Sequence, residues 1–208
     1  MQLESIAAKS NQHASLVGKL MEIRGEFVRK SLHMLIAFVP ALTMTFGAFA
    51  TTLMLALGVL FYTIAEHYRL EGQSIAVITA VTVVAARSRD NGKFVVGPVT
   101  LGIGAMLALL LYPAEAAFLA IYALAFGDGL ASLVGRAFGS VRLTANTSVE
   151  GSLACFVAVF TASLAVTNDV TKSLVLGVVA TVLEALPTDD LDNIILPVGV
   201  GLVATYIA

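Results

Sequence analysis

Asp128 stands between two glycines at the end of a long apolar run, in Phe126-Gly127-Asp128-Gly129, and Gly135, Arg136 and Gly139 follow closely. A carboxylate in that setting suits a metal ligand, and glycines let backbone N–H groups come close to a phosphate. Arg136 adds a forked donor for phosphate oxygens. Past it, Ser148-Val149-Glu150-Gly151-Ser152 forms a second polar break at the start of a new apolar segment. Read alone, Gly-Asp-Gly is also compatible with a helix C-terminus followed by a turn. The two breaks together favour a site, with Asp128 and Glu150 as candidate metal ligands. Gly127, Gly135, Arg136, Gly139, Ser148 and Gly151 are then the candidate phosphate cradle.

Further candidates lie at the edges of other apolar runs. Glu184, in Leu183-Glu184-Ala185-Leu186-Pro187, would cost several kcal/mol to bury in an apolar setting unless a cation compensates it. His33 falls one turn inside the first long apolar run, beside Lys30 on the same helical face at i, i+3. Asp192-Asn193 opens the last run. The chemistry these residues fit is phosphoryl transfer from a nucleotide: Mg²⁺ on carboxylates, cations on the phosphates and a group that handles the attacking hydroxyl. Asp128 with Glu150 or Asp192 would hold the metal, and Arg29, Lys30 and Arg136 the phosphates. Asn193 would orient substrate, and Asp128, Glu184, Asp192 and His33 form the catalytic set. There is no Walker A pattern and no kinase glycine-rich loop, so the nucleotide site is of another type. Glu66 and Arg69, also i, i+3, read as an ion pair at a helix end.

The elements that position these groups must be membrane helices. Of 208 residues 58% are hydrophobic and 12% charged, about half the charge of an average soluble domain, and the mean hydropathy is +0.92. The expected fold is all-α, a polytopic bundle of about seven transmembrane helices in one domain, 1–208. Residues 1–30 carry Leu16, Leu20, Ile23 and Phe27 in helical rhythm among charges, which predicts an amphipathic surface helix ahead of a bundle over 31–208. Spans are predicted at about 31–47, 49–66, 95–112, 114–133, 150–167, 171–186 and 192–207. The apolar stretch 72–86 is too short to cross comfortably and is read as re-entrant or interfacial. With the N-terminus cytoplasmic, every Lys and Arg except Lys172 falls inside, a strong positive-inside bias. The C-terminus is then outside, and the unusual polar residues gather at the cytoplasmic face. The lone Cys155, in an apolar run, excludes a disulfide framework.

Five landmarks occur in order along nearly the whole chain: Arg29-Lys30-Ser31-Leu32-His33, Gly97-Pro98, Gly127-Asp128 through Gly139, Val149-Glu150-Gly151-Ser152, and Glu184-Ala185-Leu186-Pro187 followed by Asp192-Asn193. In these the chain resembles the CTP-dependent lipid-alcohol kinases, the family of dolichol kinase, phytol kinase and CTP-dependent diacylglycerol kinase, which are akin to phosphatidate cytidylyltransferases. The resemblance implies transfer of the CTP γ-phosphate to a lipid hydroxyl with Mg²⁺, at the cytoplasmic face of a cell or endoplasmic-reticulum-type membrane. The glycine-rich stretch and the Glu150 stretch would together form the CTP site. The family carries lysines before its Glu-Gly where this chain has Asn146-Thr147-Ser148, so phosphate charge falls to Arg136, Arg142 or the Arg29-Lys30 pair. Expected partners are the bilayer, a lipid substrate and a nucleotide, with no nucleic acid; the oligomeric state, a homodimer included, stays open. The competing expectations are a cytidylyltransferase making a CDP-lipid and a small transporter or non-enzymatic membrane protein.

Overall fold

The computed structural model describes residues 24–73, 76–86, 90, 92–144, 147–188 and 191–207. Among these the chain is helical apart from turns and one isolated bridge between Arg142 and Ser148. The helices are α1 Arg24–Phe46, α2 Ala48–Leu70, α3 Ala76–Ala85, α4 Gly97–Leu111, α5 Ala114–Phe138, α6 Val149–Thr167, α7 Val170–Glu184 and α8 Asp192–Ile207. Glycine, proline and Asx chemistry sets the breaks. Gly47 takes φ +84° between α1 and α2, and Gly97-Pro98 opens α4. Asn168 is left-handed between α6 and α7, where the Asp169 carboxylate accepts from the Thr171 and Lys172 N–H groups.

Each of the seven apolar runs is a helix, and α1, α2, α5 and α6 are long and apolar enough to cross a membrane. The molecule is an all-α membrane bundle. α4 and α7 have 15 residues and α8 has 16, or about 22–24 Å at the helical rise, short of a hydrocarbon core of about 30 Å. The stretch read as re-entrant or interfacial holds α3, ten residues long, about 15 Å or half the hydrocarbon thickness. The surface helix expected over 1–30 falls mostly outside the described residues. Its end, from Arg24 on, is the first turns of α1 and runs straight into the first apolar run, with Glu26 and Lys30 buried.

α5 is the axis of the bundle. Of its most apolar window 61% is buried, against 11% for α2 on the periphery. Alanine and glycine make this centrality achievable, because small residues let helix backbones approach. Ala116, Ala117, Ala120, Ala123 and Ala125 are all buried on α5. A Cβ on Gly151 of α6 would lie 2.7 Å from Ala131 O and 3.3 Å from Gly135 Cα of α5, so the two backbones are in contact there. α4 and α8 meet through another such pair. Pro197, inside α8, has no N–H for the carbonyl four residues back. That carbonyl is Asn193 O, which faces Gly104 so closely that a Cβ there would sit 1.9 Å away.

Candidate functional site

The site begins on one stripe of α1. Glu26, Lys30 and His33 recur at helical spacing, all buried, whereas Phe27, Leu32 and Leu35 on other faces are exposed. The stripe faces α5 where that helix widens into a π-helical segment, Ala123–Asp128. Such segments are rare and gather at functional sites. Lys30 Nζ donates to Asp128 Oδ2 at 2.5 Å in a pair with both side chains 5% exposed or less. His33 Nε2–H donates to Leu124 O at 2.8 Å and lies 3.2 Å from Asp128 Oδ2. The wider π turn therefore presents a carbonyl and a carboxylate to the same imidazole edge.

One turn nearer the N-terminus, Glu26 receives two arginines. Arg136 Nε lies 2.8 Å from Glu26 Oε2 in an ion pair, and Arg29 Nη2 donates to the same oxygen. Arg29 Nη1 also donates to Ala85 O at 3.0 Å, capping the end of α3. Beside this stripe lies a cavity of about 360 Å³. Its lining includes the polar and charged residues Arg29, Lys30, His33, Asp90, Asp192 and Asn193 and the apolar residues Leu32, Val81, Val95 and Leu101. A neighbouring clip fixes Val95: Glu66, fully buried, takes both Arg69 Nε and Nη2 at 2.7 Å and the Val95 N–H at 2.9 Å, and Tyr62 O–H donates to Val95 O.

Comparison with family models, curated proteins and solved structures finds no match to this chain.

Lys30, His33 and Asp128 meet in one buried cluster, and Arg29, Asp192 and Asn193 line the adjoining cavity. Asn193 Nδ2 donates to Thr100 Oγ1 at 2.9 Å, which ties the start of α8 to α4. Glu184 carries a buried Oε2 with no hydrogen-bond partner, and the charges that bear on it are Asp128, Lys30 and Asp192. The two polar breaks read from the sequence do come together, but through packing. Gly135, Gly139 and Gly151 close around Ser148, with Ser148 Oγ accepting from the Gly151 N–H. The Gly139 N–H goes to Gly135 O, and Glu150 Oε1 takes the Ser140 N–H and hydroxyl. A Cβ on Gly127 would strike Val159 Cγ2 at 2.8 Å. These glycines hold α5 against α6, and the amides that were to cradle phosphate already have partners. Among the described residues no group of three or more His, Cys, Asp or Glu is placed to hold a metal ion. Of the metal set, Asp128 bonds Lys30 while Glu150 bonds Ser140 and Asp192 lies at the cavity.

Glu26, Tyr62 and Asp90 are absent from the candidates that spacing supplied. Glu26 had a readable signal: with Arg29, Lys30 and His33 it makes a charged stripe of helical period that continues into an apolar run. Asp90 and Tyr62 had none, because only the tertiary fold places them at the cavity. Asp189 and Asp190, Arg87 and Arg89, and Asn146 lie outside the described residues.

Proposed function

We propose that this chain is a membrane phosphotransferase that moves the γ-phosphoryl group of CTP onto the hydroxyl of a membrane lipid alcohol. One observation carries the reading: a cavity in a lipid-soluble bundle whose lining combines apolar residues with Arg29, Lys30, His33, Asp90 and Asp192. A polyprenol-like, phytol-like or diacylglycerol hydroxyl reaches the charged residues with its chain among the apolar ones. The five ordered landmarks of the sequence supply the choice of CTP.

The donor set fits Mg²⁺, a hard cation that takes one or two carboxylates together with substrate phosphates and water. Asp192 lies at the cavity and would hold it there. Mg²⁺ entering with the nucleotide would supply charge neutralisation on the phosphate oxygens. The chain does the rest. Arg29 and Lys30 hold the phosphate oxygens and Asp128 keeps Lys30 and His33 in place. As the lipid oxygen forms its bond to the γ-phosphorus, the bond from that phosphorus to the β-bridging oxygen breaks. The hydroxyl proton passes to Glu184, and the products are a lipid monophosphate and CDP.

The finer topology belongs to the same proposal. Seven helices cross, with the shorter ones extended by flanking residues or the bilayer thinned around them, and α3 rests at the side of the N-terminus. That side is cytoplasmic, and the C-terminus lies opposite.

The test is incubation of the purified chain in liposomes with γ-labelled CTP, Mg²⁺ and a panel of lipid alcohols. Label entering the organic phase, stronger from CTP than ATP and abolished in Asp128→Asn, is the expected result. Release of pyrophosphate with a CDP-lipid would replace the kinase by a cytidylyltransferase, and full turnover in Asp128→Asn would remove the cluster from the chemistry.

A further inference from the structure

α3 is too short to cover the flank of α1 that it leans on. Its ten residues rise about 15 Å against an α1 of 23 residues and about 34 Å. At its C-terminal end α3 is pinned to α1: Arg29 Nη1 donates to Ala85 O at 3.0 Å, and a Cβ on Gly25 would lie 2.9 Å from Val84 O. Away from that end the packing is thin. Thr82 is the one buried side chain among those described on α3, and Val83 is 59% exposed. Farther along α1, Leu35 and Phe38 are exposed as well. Leu32 of α1 and Val81 of α3 both line the cavity of about 360 Å³, yet they are 40% and 37% exposed. A side chain that is at once cavity lining and outer surface marks a mouth. Both of these are aliphatic and stand on apolar helices of a membrane bundle, where the surrounding medium is hydrocarbon.

We propose that Leu32 and Val81 frame a lateral portal, through which the aliphatic chain of a membrane lipid with a polar head enters the cavity from the bilayer. The mouth selects the chain and the lining selects the head. Val95 and Leu101 line the cavity together with Arg29, Lys30 and Asn193, two kinds of surface that an amphiphile satisfies at once. A water-soluble ligand gains nothing from an aliphatic mouth, and a purely apolar one would strip water from the charged lining without replacing its hydrogen bonds. That the polar head is the hydroxyl of a phosphoryl acceptor rests on the phosphotransferase reading; the portal itself does not. A mere packing defect between α1 and α3 predicts a different pattern, because lipid would then touch Leu32 and Val81 from outside and never reach Val95 or Leu101.

The probe is a long-chain alcohol with a diazirine in its tail, placed with the full chain in phosphatidylcholine liposomes and photolysed. Adducts are mapped by mass spectrometry for the wild type, Leu32→Trp and Val81→Trp, with melting temperatures recorded alongside. The wild type is expected to form adducts at Val95 and Leu101 that the same alcohol without the diazirine competes away. Either tryptophan variant should form about tenfold fewer there, since the larger ring overfills the mouth. Phe49, 84% exposed on α2, reports contact with bulk lipid and should react equally in all three. Absence of competable adducts at Val95 and Leu101, or undiminished adducts there in either folded variant, overturns the portal. Should Leu32→Trp fail to fold, Val81→Trp decides alone. Transfer of phosphate from γ-labelled CTP is read on the same samples. Adducts that the variants block, without any phosphate transfer, keep the portal and remove the kinase. Phosphate transfer with adducts undiminished in the variants does the reverse.

Discussion

At the residue scale, the protein concentrates its electrostatic risk in one pair. Lys30 and Asp128 are both buried and bonded at 2.5 Å. A buried ion pair adds little net stability, but removing one member strands the other charge in an apolar setting. Lys30→Met is therefore expected to lower stability by about 3–5 kcal/mol, measured by denaturant unfolding in detergent. The double variant Lys30→Met/Asp128→Leu should recover most of that loss while remaining inactive in label transfer. A double variant as unstable as the single one would show that His33, and not Lys30, is the main partner of the Asp128 charge. This pairing was only partly legible in the chain. Asp128 and Lys30 each announce themselves as charges at apolar boundaries, yet they are 98 residues apart, and no local pattern couples positions at that separation.

At the element scale, glycine placement decides which helices touch. Gly151→Ala must push a Cβ to 2.7 Å from Ala131 O, and backbone on both sides cannot yield cheaply. A loss of about 1–3 kcal/mol is expected. Gly58→Ala in α2 meets nothing within 4 Å and should instead gain up to about 1 kcal/mol from helix propensity. Equal effects at the two positions, read from thermal melts, would mean that α5 and α6 are not in backbone contact. The glycines around Asp128 and Glu150 were conspicuous in the sequence, but permissiveness toward a ligand and permissiveness toward a neighbouring helix leave the same mark. In the structure a Cβ on Gly127, Gly129, Gly135 or Gly151 would meet a neighbouring helix. The Glu66 clip is a second element-scale device. Glu66→Gln weakens the hold on Arg69 and Val95, so amide exchange should accelerate over residues 93–96 and stay unchanged along α5 and α6. Uniform acceleration would place Glu66 in global stability instead.

At the scale of the whole molecule, hydropathy carries most of the architecture. α6 is 19 residues long, with mean hydropathy 1.9 in its most apolar window. Its ends are the exposed Val141 region on one side and Asp169 on the other. In a Cys155→Ala background, single cysteines at Val141 and Asp169 should react with a membrane-impermeant maleimide from opposite sides of sealed vesicles. Labelling of both from one side would mean that α6 does not cross.

By itself the sequence determined the class and the element map: the apolar runs are long and bounded by glycine, proline and charge, and in lipid every backbone polar group must be bonded within its own segment. It also marked which charged residues sit at the edges of those runs, because a charge near hydrocarbon is costly wherever the chain goes next. Only the tertiary structure decided which of these charges meet. It set Lys30 and His33 against Asp128, gave Arg29 and Arg136 to Glu26, and used the glycines for close packing. Such pairings depend on helix rotation and on the π-helical widening of α5, and both are fixed by side-chain packing across the bundle.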